Sequence, residues 1–249
     1  MHPRMLLVAL QLLTRLPVGD PWQDRRDTGA CVGWFGVVGA IVGGVAASAL
    51  WVSELVLPPM AAATIAVGAT TALTGGLHED GLADSADGLF GGARPGRRLE
   101  IMRDPRIGAY GVLALVLVTL LRVVLLASLD PVAAAGALVA TSAISRGALG
   151  VTLVGAVPAA QDGRGADLLE HLRPLPAAIG LVAAVLIAGA AVRVAVVGVV
   201  VAALLVAAGA RGLATRRLGG VNGDVMGAMV STAEVAGLAA VVIAAGYGL

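Results

Sequence analysis

Apolar runs of about twenty residues recur along this chain between short polar intervals, and no other feature narrows the fold so sharply. Roughly 20 mostly apolar residues in a helix cross the hydrocarbon core of a bilayer. The runs extend from about Cys31 to Val52, Met60 to Leu77, Val112 to Leu129, Val132 to Val154, Leu175 to Ala191, Val194 to Ala210 and Val225 to Tyr247. Composition agrees, with 58% hydrophobic and 13% charged residues where soluble domains carry about a quarter charged. A soluble fold of this size buries only about 70% of its chain surface. The remaining apolar surface must therefore face a lipid bilayer. The expected fold is an all-α, polytopic integral membrane bundle of about seven transmembrane helices. Six is the fallback, because only Arg193 interrupts the stretch from Leu175 to Ala210 and one long helix could occupy it.

Arginines set the orientation, since cytoplasmic loops carry the excess of basic residues. Arg4, Arg15, Arg25 and Arg26 precede the first run; Arg94, Arg97, Arg98, Arg103 and Arg106 lie between the second and third. Arg164 and Arg173 follow the fourth, and Arg211, Arg216 and Arg217 precede the last. Seven crossings put all four groups on one side, with Arg193 the exception, so the N-terminus is expected inside. The apolar stretch Met5 to Leu13 is too short to span and reads as an interfacial amphipathic segment. The chain, residues 1–249, reads as a single membrane-embedded domain. Gly36, Gly39 and Gly43 read as a helix-packing surface, and Cys31 as a small apolar filler. A net charge of +1 and the lack of a basic, aromatic-rich patch argue against nucleic acid.

The acidic residues are not evenly spread. Glu79, Asp80, Asp84 and Asp87 fall within nine residues. Asp80, Asp84 and Asp87 have the i, i+4, i+7 spacing of one helical stripe, and Gly91 extends it to a place where a ligand could approach the backbone. Like charges in this register repel, and a divalent cation removes that cost. Oxygen donors suit Mg²⁺ or Mn²⁺, and Mg²⁺ typically keeps water and accepts substrate phosphates as further ligands. The competing reading is a solvated acidic loop. His78, off the stripe, is equally a structural side chain or a general base.

Further along, Asp104 precedes Pro105, which disfavours helix there. Arg103 and Arg106 flank this turn and could grip phosphate, or merely anchor the next run at the membrane surface. Arg146 lies inside an apolar run, where an ionisable residue is costly and marks function by default. Arg122, without polar neighbours in sequence, reads as snorkelling or packing. Asp224 opens the last run, where it could cap a helix, complete a metal site with the stripe, or do both.

Four segments then resemble one family in order. His78-Glu79-Asp80-Gly81-Leu82-Ala83-Asp84-Ser85-Ala86-Asp87-Gly88 resembles the signature of the cobalamin synthases, the adenosylcobinamide-GDP ribazoletransferases. Met102 to Gly111 resembles their second motif, Thr14-Arg15-Leu16-Pro17 their N-terminal one, and Gly223 to Ala228 their C-terminal one. The resemblance implies a Mg²⁺-dependent phosphotransferase of the bacterial cytoplasmic membrane, its active site facing the cytoplasm. Its substrates would be adenosylcobinamide-GDP and α-ribazole or its 5′-phosphate, with GMP released; a homo-oligomer is compatible with this.

On that basis Asp84, Asp87 and His78 become candidate catalytic residues. Asp80, Asp84, Asp87, Asp224 and Glu79 are candidate magnesium ligands, and Arg15, Arg103, Asp104, Arg106 and Arg146 candidate substrate contacts. The attacking group would be the ribazole 3′-hydroxyl. A CDP-alcohol phosphotransferase acting on lipid is the nearest rival enzyme. Asp84, Asp87 and Gly88 fit that signature, but Ala93-Arg94 falls two residues late and the later aspartate pair is missing. A cation-coupled transporter is the rival of another class; it would place acids near the midplane, often in two related halves.

Overall fold

The computed structural model describes residues 2–19, 21, 26–160 and 163–248. These form twelve α-helices and no strand beyond an isolated bridge between Pro158 and Val221. The first helix, α1 (Arg4–Leu13), buries Met5, Val8, Ala9, Leu10 and Leu13 along one face against the bundle, as an amphipathic helix must. Next, α2 (Arg26–Cys31) passes through a 3₁₀ turn into α3 (Phe35–Glu54). Cys31 is fully buried and forms no disulfide, as its filler role requires. Pro59 then opens α4 (Pro59–Thr74) at a position that suits proline.

The expected second run, Met60 to Leu77, needs correction. It stops at Thr74, because Gly75 and Gly76 both take positive φ, 66° and 69°, a region open mainly to glycine. The chain turns there by 89° into α5 (Leu77–Gly91), which carries the acidic residues. After α6 (Pro95–Met102), α7 (Ala109–Ala127) runs back antiparallel to α5. The Asp130 carboxylate accepts the Val132 and Ala133 N–H groups at 3.0 and 3.1 Å and caps α8 (Pro131–Thr152). The remaining helices are α9 (Arg164–His171), α10 (Pro174–Val192), α11 (Val196–Leu218) and α12 (Gly223–Gly246).

By length and composition five described helical segments can cross a membrane, or six if the bent α4–α5 pair is one span. One of the five is the 45-residue stretch Pro174–Leu218, which would reach about 67 Å if straight, twice a bilayer core. It is not straight. Arg193 takes φ 52° and ψ −127° in the corner between α10 and α11. Ala177 lies against Gly150 and Ala191 against Gly136, so α10 runs antiparallel to α8. The chain then returns, and Arg211 of α11 donates to the Thr152 and Val154 carbonyls at 2.6 and 3.0 Å. Residues 174–218 are thus a helical hairpin, not one long helix.

Packing centres on α8. Gly39 and Gly43 bring α3 against the Ser142 and Leu138 carbonyls of α8, and Gly36 meets Gly180 and Ala184 of α10. Small residues allow this contact where lipid offers no hydrophobic drive. The outward faces keep bulky apolar side chains exposed, among them Leu113, Leu117, Leu120, Leu186 and Leu205. This is a polytopic helical membrane protein. At the end of the bundle where α8 finishes and α12 starts, arginines tie helix termini together. Arg98 donates to the Arg217 carbonyl at 3.0 Å and Arg217 to that of Leu89 at 2.6 Å, satisfying the carbonyls that a helix C-terminus leaves open.

Candidate active site

The acidic helix α5 crosses the start of α12 with the two backbones in contact. A Cβ on Gly81 would lie 2.7 Å from the Asp224 carbonyl oxygen, and one on Gly227 3.2 Å from that of Leu77. Any larger residue would hold the helices apart. The segment before α12 is fixed from behind: Val221 N–H donates to the Val157 carbonyl at 2.8 Å, and Ala159 N–H to that of Val221 at 2.9 Å. The crossing brings Asp80 and Asp84 of α5 to Asp224 of α12, close enough for their charges to interact. Asp80 and Asp224 each lie in the first turn of their helix, where the positive end of the helix dipole favours acids.

Among the described residues, neither Asp80 nor Asp84 is paired with a base or accepts a side-chain hydrogen bond. Asp224 accepts one, from Asn222 Nδ2 at 2.9 Å. The cap of α12 is Asn222 itself, whose Oδ1 accepts the Val225 N–H at 3.0 Å. The capping role considered for Asp224 therefore belongs to its neighbour.

Asp80 and Asp84 open onto a cavity of about 690 Å³ that also takes in Arg15, Arg103, Asp104 and Arg106. Arg15 reaches it by lying across Gly75, whose missing side chain leaves the space, and its N–H donates to the Leu73 carbonyl at 2.9 Å. Arg103 lies within electrostatic reach of Asp224. Arg106 holds Asp104 with two hydrogen bonds, at 3.0 and 2.7 Å, in the turn expected before Pro105. That guanidinium keeps the half-buried Asp104 carboxyl down at about 2.

The structure sends other candidates elsewhere. Asp87, third on the stripe, is buried and turns to the start of α7, where its oxygens accept the Gly108 and Gly111 N–H groups at 2.7 and 2.9 Å. A Cβ at either glycine would collide with the carboxylate. Gly91 faces Ile101 and Tyr110 rather than the cavity. Glu79 also lines the cavity wall, but its Oε1 pairs with Arg122 at 3.1 Å and accepts from Thr71 at 3.2 Å. Arg146 has no exposed surface and pairs with Glu234 at 2.7 Å, so it is not positioned to touch substrate. Arg122 also pairs with Glu234 and is no snorkelling residue. Glu234 was missed in the sequence although an acid inside an apolar run was signal enough. His78 is buried in the wall of a second cavity that also touches Asp80 and Asp224.

No three His, Cys, Asp or Glu side chains among the described residues form a ready-made metal cage. The donors present still fit a hard cation. Asp80, Asp84 and Asp224 are oxygen donors with no ion-pair partner among the described residues, and water and substrate oxygens in the adjoining cavities could complete a coordination sphere, as Mg²⁺ prefers.

Comparison with known proteins agrees with the motif resemblance. A family model described as cobalamin-5-phosphate synthase matches residues 5–242. Adenosylcobinamide-GDP ribazoletransferases of Brucella ovis, Brucella canis and Brucella melitensis are each 37% identical over 248 residues, covering 95% of this chain and 95% of theirs. No solved structure matches. With nearly its whole length matched and the acidic, arginine and glycine motifs in one place, the chain belongs to the cobalamin-5-phosphate synthase family.

Proposed function

We propose that this enzyme joins adenosylcobinamide-GDP to α-ribazole or its 5′-phosphate and releases GMP, as the names of its relatives describe. The observation that carries the reading is that Asp80 and Asp84 line one cavity with Arg15, Arg103 and Arg106, while Asp224 lies close enough to Asp80 and Asp84 for their charges to interact. Asp80, Asp84 and Asp224 would hold Mg²⁺, which when bound offsets charge on the diphosphate and on the departing oxygen. Arg15, Arg103 and Arg106 bind phosphate oxygens, a task that suits the forked guanidinium. The ribazole 3′-hydroxyl forms a bond to the phosphorus that carries the cobinamide arm. The bond from that phosphorus to the GMP oxygen breaks, and the hydroxyl proton passes to a side chain of the site. Phosphoryl transfer of this kind is chiefly positioning and charge neutralisation. Asp87 is the weakest of the candidate bases, because two N–H groups already occupy its oxygens. His78 and Asp224 border the second cavity and are better placed.

Purified protein in lipid nanodiscs should release GMP from adenosylcobinamide-GDP only with α-ribazole or its phosphate and a divalent cation. Release that survives complete chelation would remove the metal from the reading. A transporter would show no GMP release at all.

The whole chain acts as one domain in this proposal and crosses the cytoplasmic membrane seven times: α3, the α4–α5 pair, α7, α8, α10, α11 and α12. The N-terminus and the active site face the cytoplasm. A cysteine at the exposed Ala93, in a Cys31→Ala background, should react with an impermeant thiol reagent only after the membrane is opened. Labelling in sealed cells would invert the topology.

A further inference from the structure

Asp80 borders two cavities of different chemistry. One is the arginine-lined cavity of about 690 Å³. The other, about 200 Å³, lies between α1, α3, α5, α8, α9 and the first turns of α12. Its walls are apolar: Phe35, Leu149, Leu168, Met226 and Val230. Its polar end is made by Asp80, Asp224 and His78, with the exposed Arg164 at the rim. His78 is only 4% exposed, and among the described residues nothing hydrogen-bonds its ring. The imidazole lines the cavity wall beside Asp80 and Asp224, where a polar atom of a ligand can reach it.

We infer that this apolar cavity receives the aromatic base of α-ribazole, while the arginine-lined cavity receives the diphosphate of adenosylcobinamide-GDP. The assignment rests on the ribazoletransferase reading and divides its site between the two substrates. Volume supports it: a cavity of about 150 Å³ takes up a benzene ring, so about 200 Å³ suits a planar bicyclic base and not a nucleoside diphosphate. Polarity supports it, because a dimethylbenzimidazole has an apolar body, and its attached ribose would emerge at Asp80 and Asp224, where the 3′-hydroxyl must react. Geometry supports it as well. In phosphoryl transfer the attacking and leaving oxygens lie roughly in line across phosphorus, and the cavities meet at Asp80. Arg164 then stands where a 5′-phosphate would project.

The test uses the full chain in nanodiscs. With the unaltered protein, an α-riboside of benzimidazole lacking both methyl groups should show a KM roughly tenfold above that of α-ribazole, from the lost apolar burial. The kcat should hardly move. Val230→Phe, which fills the cavity, should raise the KM for α-ribazole at least tenfold and leave that for adenosylcobinamide-GDP within twofold. Radiolabelled α-ribazole binding, measured without the second substrate, should weaken in parallel in this variant. Equal KM values for the methylated and unmethylated bases, with GMP still released, would overturn the cavity assignment and spare the reaction. Unimpaired binding of α-ribazole to a folded Val230→Phe protein would overturn it too. Normal, variant-sensitive α-ribazole binding without GMP release would do the reverse, keeping the cavity and removing the reaction. If Val230→Phe does not fold, the base series on the unaltered protein decides alone.

Discussion

Two groups of charges sit on the same pair of helices and obey opposite rules. Glu79 and Asp80 are adjacent in sequence on α5, and Asp224 and Glu234 lie ten residues apart on α12, about 15 Å along its axis. Deep in the bundle, Glu234 is held by Arg122 and Arg146, accepts from Ser142 Oγ at 3.3 Å, and shares Arg122 with Glu79. Two arginines and two glutamates cancel. Nearer the face of the bundle, Asp80, Asp84 and Asp224 gather where two cavities meet, with no ion pair among the described residues to cancel them. An unpaired charge in lipid costs several kcal/mol, so the deep group must balance in charge, although Glu79 Oε2 and Arg146 Nε have no hydrogen-bond partner among the described residues. The surface group can stay incomplete because water, and a cation with its substrate, reach it. Charge balance marks the groups that hold the fold, and its lack those free to act.

Breaking the deep group should have the largest effect. Glu234→Leu leaves Arg122 and Arg146 facing each other without their shared carboxylate and should cost about 3–5 kcal/mol of stability, read as a lower unfolding temperature in detergent. A variant as stable as the unaltered protein would mean that the pairing is not what supports this region.

Asp84→Asn and Asp224→Asn should do the opposite. Each removes a like charge from a crowded site, so the unfolding temperature should hold or rise, while GMP release falls by about 10²–10³-fold. The cap of α12 is Asn222, so Asp224→Asn leaves the helix start intact. Near-normal turnover in either variant at saturating Mg²⁺ would take that aspartate out of the site.

Asp87→Asn sharpens the comparison with the smallest expected change. The amide oxygen can still accept from Gly108 or Gly111, but the charge opposite the α7 start is lost, a cost of about 1–2 kcal/mol. Turnover per folded molecule should stay within severalfold. A loss as deep as that of Asp84→Asn, at unchanged stability, would return Asp87 to the catalytic group.

The helices themselves were legible because lipid demands them: a bilayer core accepts backbone only when its hydrogen bonds close within the segment. Apolar length therefore located the long helices to within a few residues, except that α11 continues past the apolar run ending at Ala210 as far as Leu218, through the polar residues Arg211, Arg216 and Arg217. It could not see the 89° turn at Gly75 and Gly76, since two glycines barely alter hydropathy while they release the backbone. The acidic, arginine and glycine motifs and their family were legible too, because local chemistry and order in the chain suffice to recognise them.

What only the tertiary structure decided is where each charge points. Asp80, Asp84 and Asp87 share one stripe by spacing, yet Asp87 leaves it because the start of α7, some twenty residues on, presents two N–H groups. Glu79 and Asp80 are neighbours, yet a turn of about 100° per residue around the helix aims one at Arg122 and leaves the other facing two cavities. Arg146 carried the sign of a functional residue and proved to be the partner of Glu234, 88 positions away. Spacing along a helix places side chains on a face, but the partner across that face comes from a distant part of the chain, and packing alone chooses it.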